Sequence, residues 1–392
     1  MLSERVEFVA ERDAELFAAV PRAAAVFLLR AEDPQAEPYV SKTEDLRRRL
    51  QRLLRTPAEH SRKLNLRGQV RWIEYTLTGS DFEAGFLLYQ TLRSIFPKTY
   101  SARLRLRFAP LIKLHMENEY PRASVTTRLG RLGGKNLYYG PFASRAAAEK
   151  FANDSLDFFK MRRCVEDLQP DPKFPGCIYS EMKMCLAPCF QGCTDDEYRE
   201  EVGRVRQYFD SGGESLLRII SNERDEASAS LQFEEAAGHH ARLGKVKPVL
   251  QRLPEIVHRI DQLRAVTVQA SAVEGCVALF RIDDCRILGP TVFAVQPAEH
   301  TRSQSMESRV EEALSAMSSA EDQRSATGLE TMEHLALLKR WYYRSSHAGE
   351  IFFADEKGVL PLRRIVRGIA RVYRGEKAET VEIKATGMEG EA

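Results

Sequence analysis

The chain has 392 residues, 43% of them hydrophobic, which is enough for two to four domains with buried cores. It carries 58 basic and 56 acidic residues, so the net charge of +2 does not by itself indicate a nucleic-acid-binding protein. No apolar stretch approaches the roughly 20 residues that span a bilayer, and the charged N-terminus lacks a signal-peptide core. The sequence therefore predicts a cytoplasmic protein without a membrane partner.

The first 100 residues predict a compact α/β unit. Residues 23–30 form an apolar run typical of a buried strand, and a second strand is predicted to end at residues 39–42. Thr43 is a candidate N-cap for an arginine-rich helix that runs to about Leu54. A strand at 70–77 and a helix at 81–96 complete the unit.

Basic residues are unevenly distributed within this half of the chain. The predicted helix carries a cluster made of Arg47, Arg48, Arg49, Arg52 and Arg55. Further along, Arg103, Arg105 and Arg107 alternate with other residues. Each run is typical either of a solvated face or of a surface that contacts phosphates.

Residues 101–160 predict a small α/β extension. Strands are predicted at 111–114, at 123–127 and at 136–142, the last ending in a Gly-Pro turn, and a helix is predicted at 144–160.

Four cysteines then fall within 26 residues: Cys164, Cys177, Cys185 and Cys189. Thiolates select zinc or iron–sulfur clusters over hard cations, and four of them complete either kind of site. Only Cys185 and Cys189 are closely spaced, so spacing does not decide between zinc and a cluster. The clustering of the four favours one of these two centres but leaves a disulfide pair and unrelated buried thiols open. An odd total of seven cysteines fits metal ligation in a reducing compartment better than a disulfide framework.

The other three cysteines are predicted to be structural. Cys193 follows at a helical spacing and is a candidate spare ligand, but a lone buried thiol is the favoured interpretation. Cys276 and Cys285 flank a strand–turn–strand pattern and are predicted to lie in a core.

Residues 196–265 predict a helical arm, broken at Gly212-Gly213 and kinked or ended by Pro248 and Pro254. Residues 266–376 predict a small C-terminal α/β region. Its strands are predicted at 266–268, 277–282, 291–295 and 351–353, and its helices at 305–317, 329–343 and 360–373. The charged segment 377–392 is predicted to be a mobile tail.

The order of these segments resembles the UvrC family of nucleotide-excision-repair endonucleases over about residues 15–300. The resemblance is strongest from residues 140–142 (Gly-Pro-Phe) through Arg163-Cys164 to Cys177, and then at 185–189 (Cys-Leu-Ala-Pro-Cys). It implies a [4Fe–4S] cluster held by Cys164, Cys177, Cys185 and Cys189, with zinc as the alternative.

Residues 231–237 (Leu-Gln-Phe-Glu-Glu-Ala-Ala) are similar to the UVR motif, a helical hairpin through which UvrC proteins bind UvrB. The resemblance implies a UvrB-like partner contacted by Leu231, Phe233, Glu234 and Ala237. His240-Ala241 replaces the family's usual Arg-Asp pair, so weaker partner binding is expected. Without the resemblance, the stretch predicts an ordinary amphipathic helix packed against a core.

The N-terminal unit resembles a GIY-YIG nuclease domain, which cuts DNA with one divalent cation (Mg²⁺ or Mn²⁺), a glutamate ligand, tyrosines and an arginine. Residues 25–27 (Ala-Val-Phe) and 39–41 (Tyr-Val-Ser) stand at the two triplets, followed by Lys42. Arg49 stands at the position of the catalytic arginine. The resemblance implies Tyr39, Lys42 and Arg49 as catalytic or phosphate-contacting residues, with Arg47, Arg48 and Arg52 as further DNA contacts.

Departures from that pattern predict that strand cleavage is lost or weakened. Phe27 lacks a hydroxyl, and Ala25 and Ser41 replace glycines. Leu88 stands at the glutamate position, and leucine cannot bind Mg²⁺. One alternative is an active endonuclease whose metal is held by Glu83 or Glu74. Another is an interaction scaffold that does not bind DNA.

The sequence as a whole predicts an α+β multi-domain protein. Two features of full-length UvrC proteins are missing from residues 300–392: a Gly-Gly-Lys-Gly segment and an Asp/Asp/His set. The similar segment Gly133-Gly134-Lys135 is not their equivalent, because it precedes a strand of the N-terminal half. The resemblance therefore implies a shortened layout like that of the Cho-type homologues. The predicted segments are a degenerate GIY-YIG-like domain (1–100), an extension (101–160), a cysteine region (161–195), the UVR-type arm (196–265), the C-terminal region (266–376) and the tail.

Overall fold

The computed structural model describes residues 2–56, 64–131, 133–166, 168–296, 304–321 and 327–376, with the backbone alone described for 318–321. The tail predicted at 377–392 lies outside the described residues. Within them the protein is mixed α/β, with three four-stranded sheets. No helix in this part of the chain combines the length and the apolar character needed to cross a membrane.

The first sheet is antiparallel with the order β1-β4-β2-β3, which leaves β3 at an edge. Its strands are β1 (Glu4–Glu7), β2 (Ala25–Ala31), β3 (Tyr39–Thr43) and β4 (Val70–Leu77). Its helices are α1 (Asp13–Ala19), α2 (Leu46–Leu54) and α3 (Asp81–Ile95). Strand β1 and helix α1 were not predicted, because β1 is short and mostly polar and carries no hydrophobic alternation.

The N-cap of α2 is Asp45 and not Thr43 as predicted. The Asp45 carboxylate accepts the backbone N–H of Arg48 at 2.8 Å, while Thr43 Oγ1 accepts the N–H of Asp45. Both residue types favour caps, so composition alone did not separate the two positions. The helix buries four leucines against one face of the sheet: Leu46, Leu50, Leu53 and Leu54.

The second sheet has the order β6-β5-β7-β8 and includes a strand from beyond the helical arm. Its strands are β5 (Leu111–Leu114), β6 (Ala123–Thr126), β7 (Leu137–Gly140) and β8 (His258–Arg259). The helices of this half are α4 (Tyr100–Leu104), α5 (Arg145–Leu156), α6 (Ile178–Glu181), α7 (Asp195–Asp210), α8 (Glu214–Ala229) and α9 (Phe233–Leu250). Residues from the predicted extension and from the predicted arm share one hydrophobic core.

The helical arm is broken twice, and its last helix ends at Leu250, before the predicted limit at residue 265. The first break falls at Gly212-Gly213 as predicted. Gly213 has φ +95°, and a Cβ there would lie 2.2 Å from Leu250 Cδ2. The second break, at residues 230–232, was not predicted; Leu231 adopts φ +60° there. Pro248 lies in the last turn of α9.

The third sheet has the order β11-β10-β9-β12. Its strands are β9 (Ala265–Ala270), β10 (Cys276–Asp283), β11 (Arg286–Ala294) and β12 (Glu350–Phe353). Its helices are α10 (Met306–Glu321), α11 (Gly328–Tyr342) and α12 (Leu362–Tyr373). Helices α10 and α12 pack on one face of the sheet, and α11 packs on the other.

Helix α3 of the first unit also packs on the third sheet. The ring of Phe82 meets Phe280 of β10 edge-to-face, with 4.9 Å between centroids. Gly79 permits this close approach, since a Cβ there would lie 2.3 Å from the carbonyl oxygen of Ala270. The N-terminal and C-terminal units therefore share a core.

A buried polar network holds α3 and α4 against α11. Glu333 of α11 accepts hydrogen bonds from the hydroxyls of Tyr89 (2.8 Å) and Tyr100 (2.5 Å). Arg93 donates to Tyr89 Oη at 2.8 Å and to Glu330 at 3.0 Å. Burial, followed by Glu333, raises the pKa of Tyr100 to about 12, so its hydroxyl remains a donor. The network fixes the register between the two units.

Candidate functional site

Tyr39 and Arg49, ten residues apart in the sequence, come together in the folded protein. Arg49 lies on α2 and donates from a terminal guanidinium nitrogen to Tyr39 Oη at 2.7 Å. The Nε atom of Arg49 is buried and has no hydrogen-bond partner. Within the described residues, no carboxylate lies within 4.0 Å of this guanidinium. Since a buried donor without a partner is costly, Arg49 is suited to an acceptor supplied by a ligand.

Lys42 lies apart from the Tyr39–Arg49 pair. Side chains alternate along a strand, so Tyr39 faces α2, whereas Val40 and Lys42 face α3. Lys42 Nζ contacts the carboxylate of Asp81, the first residue of α3, and Arg344 contacts the same carboxylate. Sequence reasoning missed Asp81 and Arg344, because one reads only as a helix start and the other follows a distant helix.

The positions that the resemblance assigns to metal binding hold no free carboxylate. Leu88 is half-buried and packs against the core that α3 shares with the third sheet. Glu83 is buried and accepts the N–H of Gly79 at 2.7 Å, and burial raises the pKa of its carboxyl. Glu74 pairs with Arg30 at 3.0 Å. Both alternative glutamates are thus already engaged in other contacts.

The remaining predicted contact residues on α2 divide into two kinds. Arg47 donates to the carbonyl oxygens of Val20 (2.7 Å) and Ala18 (2.8 Å), so it holds the end of α1. Arg48 and Arg52, four residues apart, are exposed on one helix face, and among the described residues no carboxylate pairs with them. Arg48 and Arg52 are therefore accessible to a ligand.

The four cysteines predicted as ligands line one small pocket: Cys164, Cys177, Cys185 and Cys189. Burial, with a smaller effect from the neighbouring thiols, raises the pKa of Cys185 to about 11. As they stand, no three or more His, Cys, Asp or Glu side chains in the described part of the chain form a group that could hold a metal ion. Cys193 lines a different surface depression, beside Thr194 and Asp195.

The segment that carries these cysteines has little core of its own. Among its described residues, regular structure is confined to the four-residue α6 and one short 3₁₀ turn at Pro188–Phe190. Val165, Ile178 and Met182 are all more than 60% exposed. A segment with so little apolar burial needs a cross-link to be held in one conformation.

Arg162 provides a fixed positive charge beside the cysteines. Its side chain is 1% exposed and donates to the carbonyl oxygens of Tyr120 and Glu166, each at 2.8 Å. It also lies 3.3 Å from Cys164 Sγ, and the N–H of Ala187 lies 3.3 Å from Cys185 Sγ. N–H groups that donate to sulfur typically surround metal-bound cysteines, so these two contacts suit a metal-binding role. Sequence reasoning did not identify Arg162.

An apolar tip projects where α8 meets α9. Leu231 is 72% exposed and Phe233 is 66% exposed, and Glu234 and Ala237 beside them are also exposed. Leu231 and Phe233 are therefore not packed into the core. An exposed cluster of large apolar side chains is typical of a contact surface for a partner.

The middle of the chain matches a known protein family. The model of the family described as UvrC/Cho excinuclease, middle domain, matches residues 109–208, which include β5 to β7, α5 and all four pocket cysteines. This match assigns residues 109–208 to the UvrC/Cho middle-domain family.

Curated relatives extend the similarity to about two thirds of the chain. A UvrABC system protein C from Ruminiclostridium cellulolyticum is 26% identical over 258 residues, 64% of this chain and 41% of the relative. One from Methanothermobacter thermautotrophicus is 27% identical over 280 residues, 71% of this chain and 46% of the relative. The chain thus spans less than half the length of these relatives. No solved structure matches it.

Proposed function

We propose that this protein binds DNA in nucleotide excision repair through a nuclease-like centre that has lost its metal-binding carboxylate. The observation that carries the proposal is the Tyr39–Arg49 pair, which has a partnerless Arg49 Nε and no nearby carboxylate in the described part of the chain. The names of the relatives support the link to excision repair.

The physical argument separates binding from cutting. An arginine fork recognises phosphate oxygens in pairs and needs no metal to do so. Hydrolysis of a phosphodiester, in contrast, needs a cation to stabilise the transition state, and Mg²⁺ or Mn²⁺ needs oxygen ligands. Leu88 supplies none, and Glu83 and Glu74 are bonded to Gly79 and Arg30. The arrangement therefore favours binding without incision.

The first test measures binding and incision of one duplex that carries a bulky lesion, with Mg²⁺ or Mn²⁺ present. We expect salt-dependent binding and no strand breaks. Arg49→Gln should make the slope of log affinity against log salt less steep by about 1, because one phosphate contact is lost. Arg145→Gln, which removes an exposed arginine paired with Glu149, should leave the slope unchanged.

Two outcomes of this test support the alternatives. Metal-dependent strand breaks that disappear in Arg49→Gln support an active endonuclease with a differently placed metal ligand. Affinity that does not change with salt, or no binding at all, supports the scaffold that does not bind DNA.

We also infer that Cys164, Cys177, Cys185 and Cys189 hold a [4Fe–4S] cluster, with zinc as the alternative. In support, the four thiols line one pocket next to the buried Arg162. Each thiol of a cubane cluster binds a different iron, so the four need not converge on one point as they must around a zinc ion. The cluster would act as a rigid cross-link for a segment that lacks a core.

We further propose that the tip at Leu231 and Phe233 binds a UvrB-like partner. A helical hairpin that presents apolar side chains can pack into a groove on another protein. Phe233→Ser should weaken binding to purified UvrB by about tenfold or more, because buried aromatic anchors dominate such interfaces. The matched control is Val273→Ser, since Val273 is 52% exposed in the turn between β9 and β10. Equal affinities of the two variants, measured by calorimetry, would argue against this surface.

A further inference from the structure

A second basic site lies where the C-terminal helix α11 meets the connection between α4 and β5. Lys339 and Arg340 form part of the last turn of α11. Arg340 donates to the carbonyl oxygens of Leu104 and Arg105 at 3.0 and 3.1 Å, so its guanidinium is held at that connection. Residues separated by more than 230 positions in the sequence are thereby brought together.

Arg107 lies two residues after Arg105, whose carbonyl oxygen Arg340 contacts, so Arg107, Lys339 and Arg340 form one cluster. Burial, followed by the nearby charges of Arg107 and Arg340, lowers the pKa of Lys339. Arg107 and Arg340 are exposed, and Lys339 is half-buried. Within the described residues, no carboxylate lies within 4.0 Å of any of the three. Like charges held together without a counter-charge oppose folding, and a bound polyanion would remove that cost.

The cluster lies on the same helix end that reaches the nuclease-like unit. Arg344 follows Arg340 by four residues and contacts Asp81, which Lys42 of β3 also contacts. The end of α11 therefore lies beside the α3 side of the first sheet, whereas Tyr39 and Arg49 lie on its α2 side. The family model does not extend to α11, because its match ends at residue 208.

We propose that Arg107, Lys339 and Arg340 form a second contact for the DNA phosphate backbone, completed by the C-terminal region. This inference rests on the proposed DNA binding, and it names residues outside the nuclease-like centre. The arginines offer planar forks to phosphate oxygens, and Lys339 adds a point charge. The same duplex would contact both the first sheet and the end of α11.

The test compares the full-length wild type with Arg107→Gln/Lys339→Gln, which leaves Arg340 and its two backbone hydrogen bonds in place. The slope of log affinity against log salt for a fluorescent duplex should become less steep by about 2, one for each lost phosphate contact. The control is Arg145→Gln/Lys150→Gln, which removes two exposed cations that are paired with Glu149 and Asp154. The control slope should equal that of the wild type, and thermal melting should show that both variants are folded.

Each other outcome overturns the inference in a distinguishable way. If the wild type binds DNA and Arg49→Gln weakens binding, but Arg107→Gln/Lys339→Gln behaves as the control does, then the cluster is not a contact. If the wild type does not bind DNA, the proposed function fails as well. If polyglutamate binds more tightly than DNA and the double variant loses that binding, the cluster serves an acidic protein segment.

Discussion

Replacing Cys185 by serine is expected to remove the visible absorption and the bound iron and sulfide of protein purified without oxygen. Cys185 lies in the pocket with the other three thiols, so its loss would leave the proposed cluster one ligand short. The segment around it buries few apolar side chains, so it should lose its conformation together with the cluster. Structural metal centres contribute on the order of 10 kcal/mol to the folding of small domains, so we expect low solubility and rapid proteolysis within residues 163–194.

The matched control for this prediction is Cys193→Ser. Cys193 is also half-buried, but it lines a different depression and should be dispensable for the cluster. A colourless wild-type protein with one equivalent of bound zinc would show that the four thiols hold zinc and not an iron–sulfur cluster. A Cys185→Ser protein that is as soluble and protease-resistant as the wild type would show that the cross-link does not support the fold.

Replacing Glu333 by alanine is expected to lower the free energy of unfolding by roughly 3 kcal/mol. The change leaves the hydroxyls of Tyr89 and Tyr100 buried without their acceptor, and each such loss costs about 1–3 kcal/mol. It also opens a cavity between α3, α4 and α11. Urea denaturation followed by circular dichroism measures the loss, and proteolysis at the junction should accelerate.

Glu311→Ala provides the comparison for this prediction. Glu311 lies exposed on α10, so its removal should change stability by less than about 0.5 kcal/mol. A Glu333→Ala protein that unfolds at the same urea concentration as Glu311→Ala would mean that the network does not hold the two units together.

Much of the local structure follows from the sequence. The leucine spacing of α2 and the apolar runs of β2 and β10 predict these elements within a few residues, because each segment needs only its own periodicity to bury one face. The resemblance placed Tyr39 and Arg49 at one centre, and they are in contact, since one strand and the helix after it form a short-range unit. The resemblance to the UvrC family likewise rests on local motifs.

The tertiary structure alone decided which segments meet. Three arrangements leave no periodic signal in the chain. They are the contacts of Lys42 and Arg344 with Asp81, the placement of Arg107 beside Lys339, and the burial of Arg162 among backbone carbonyls. Helix α3 reads as an ordinary amphipathic helix, yet it packs on both the first and the third sheet. Local sequence determines which face of a segment is apolar. Only the packing of the whole chain selects the partner of that face. Many apolar faces could cover a given face, but only one arrangement of the elements buries all the apolar faces at once.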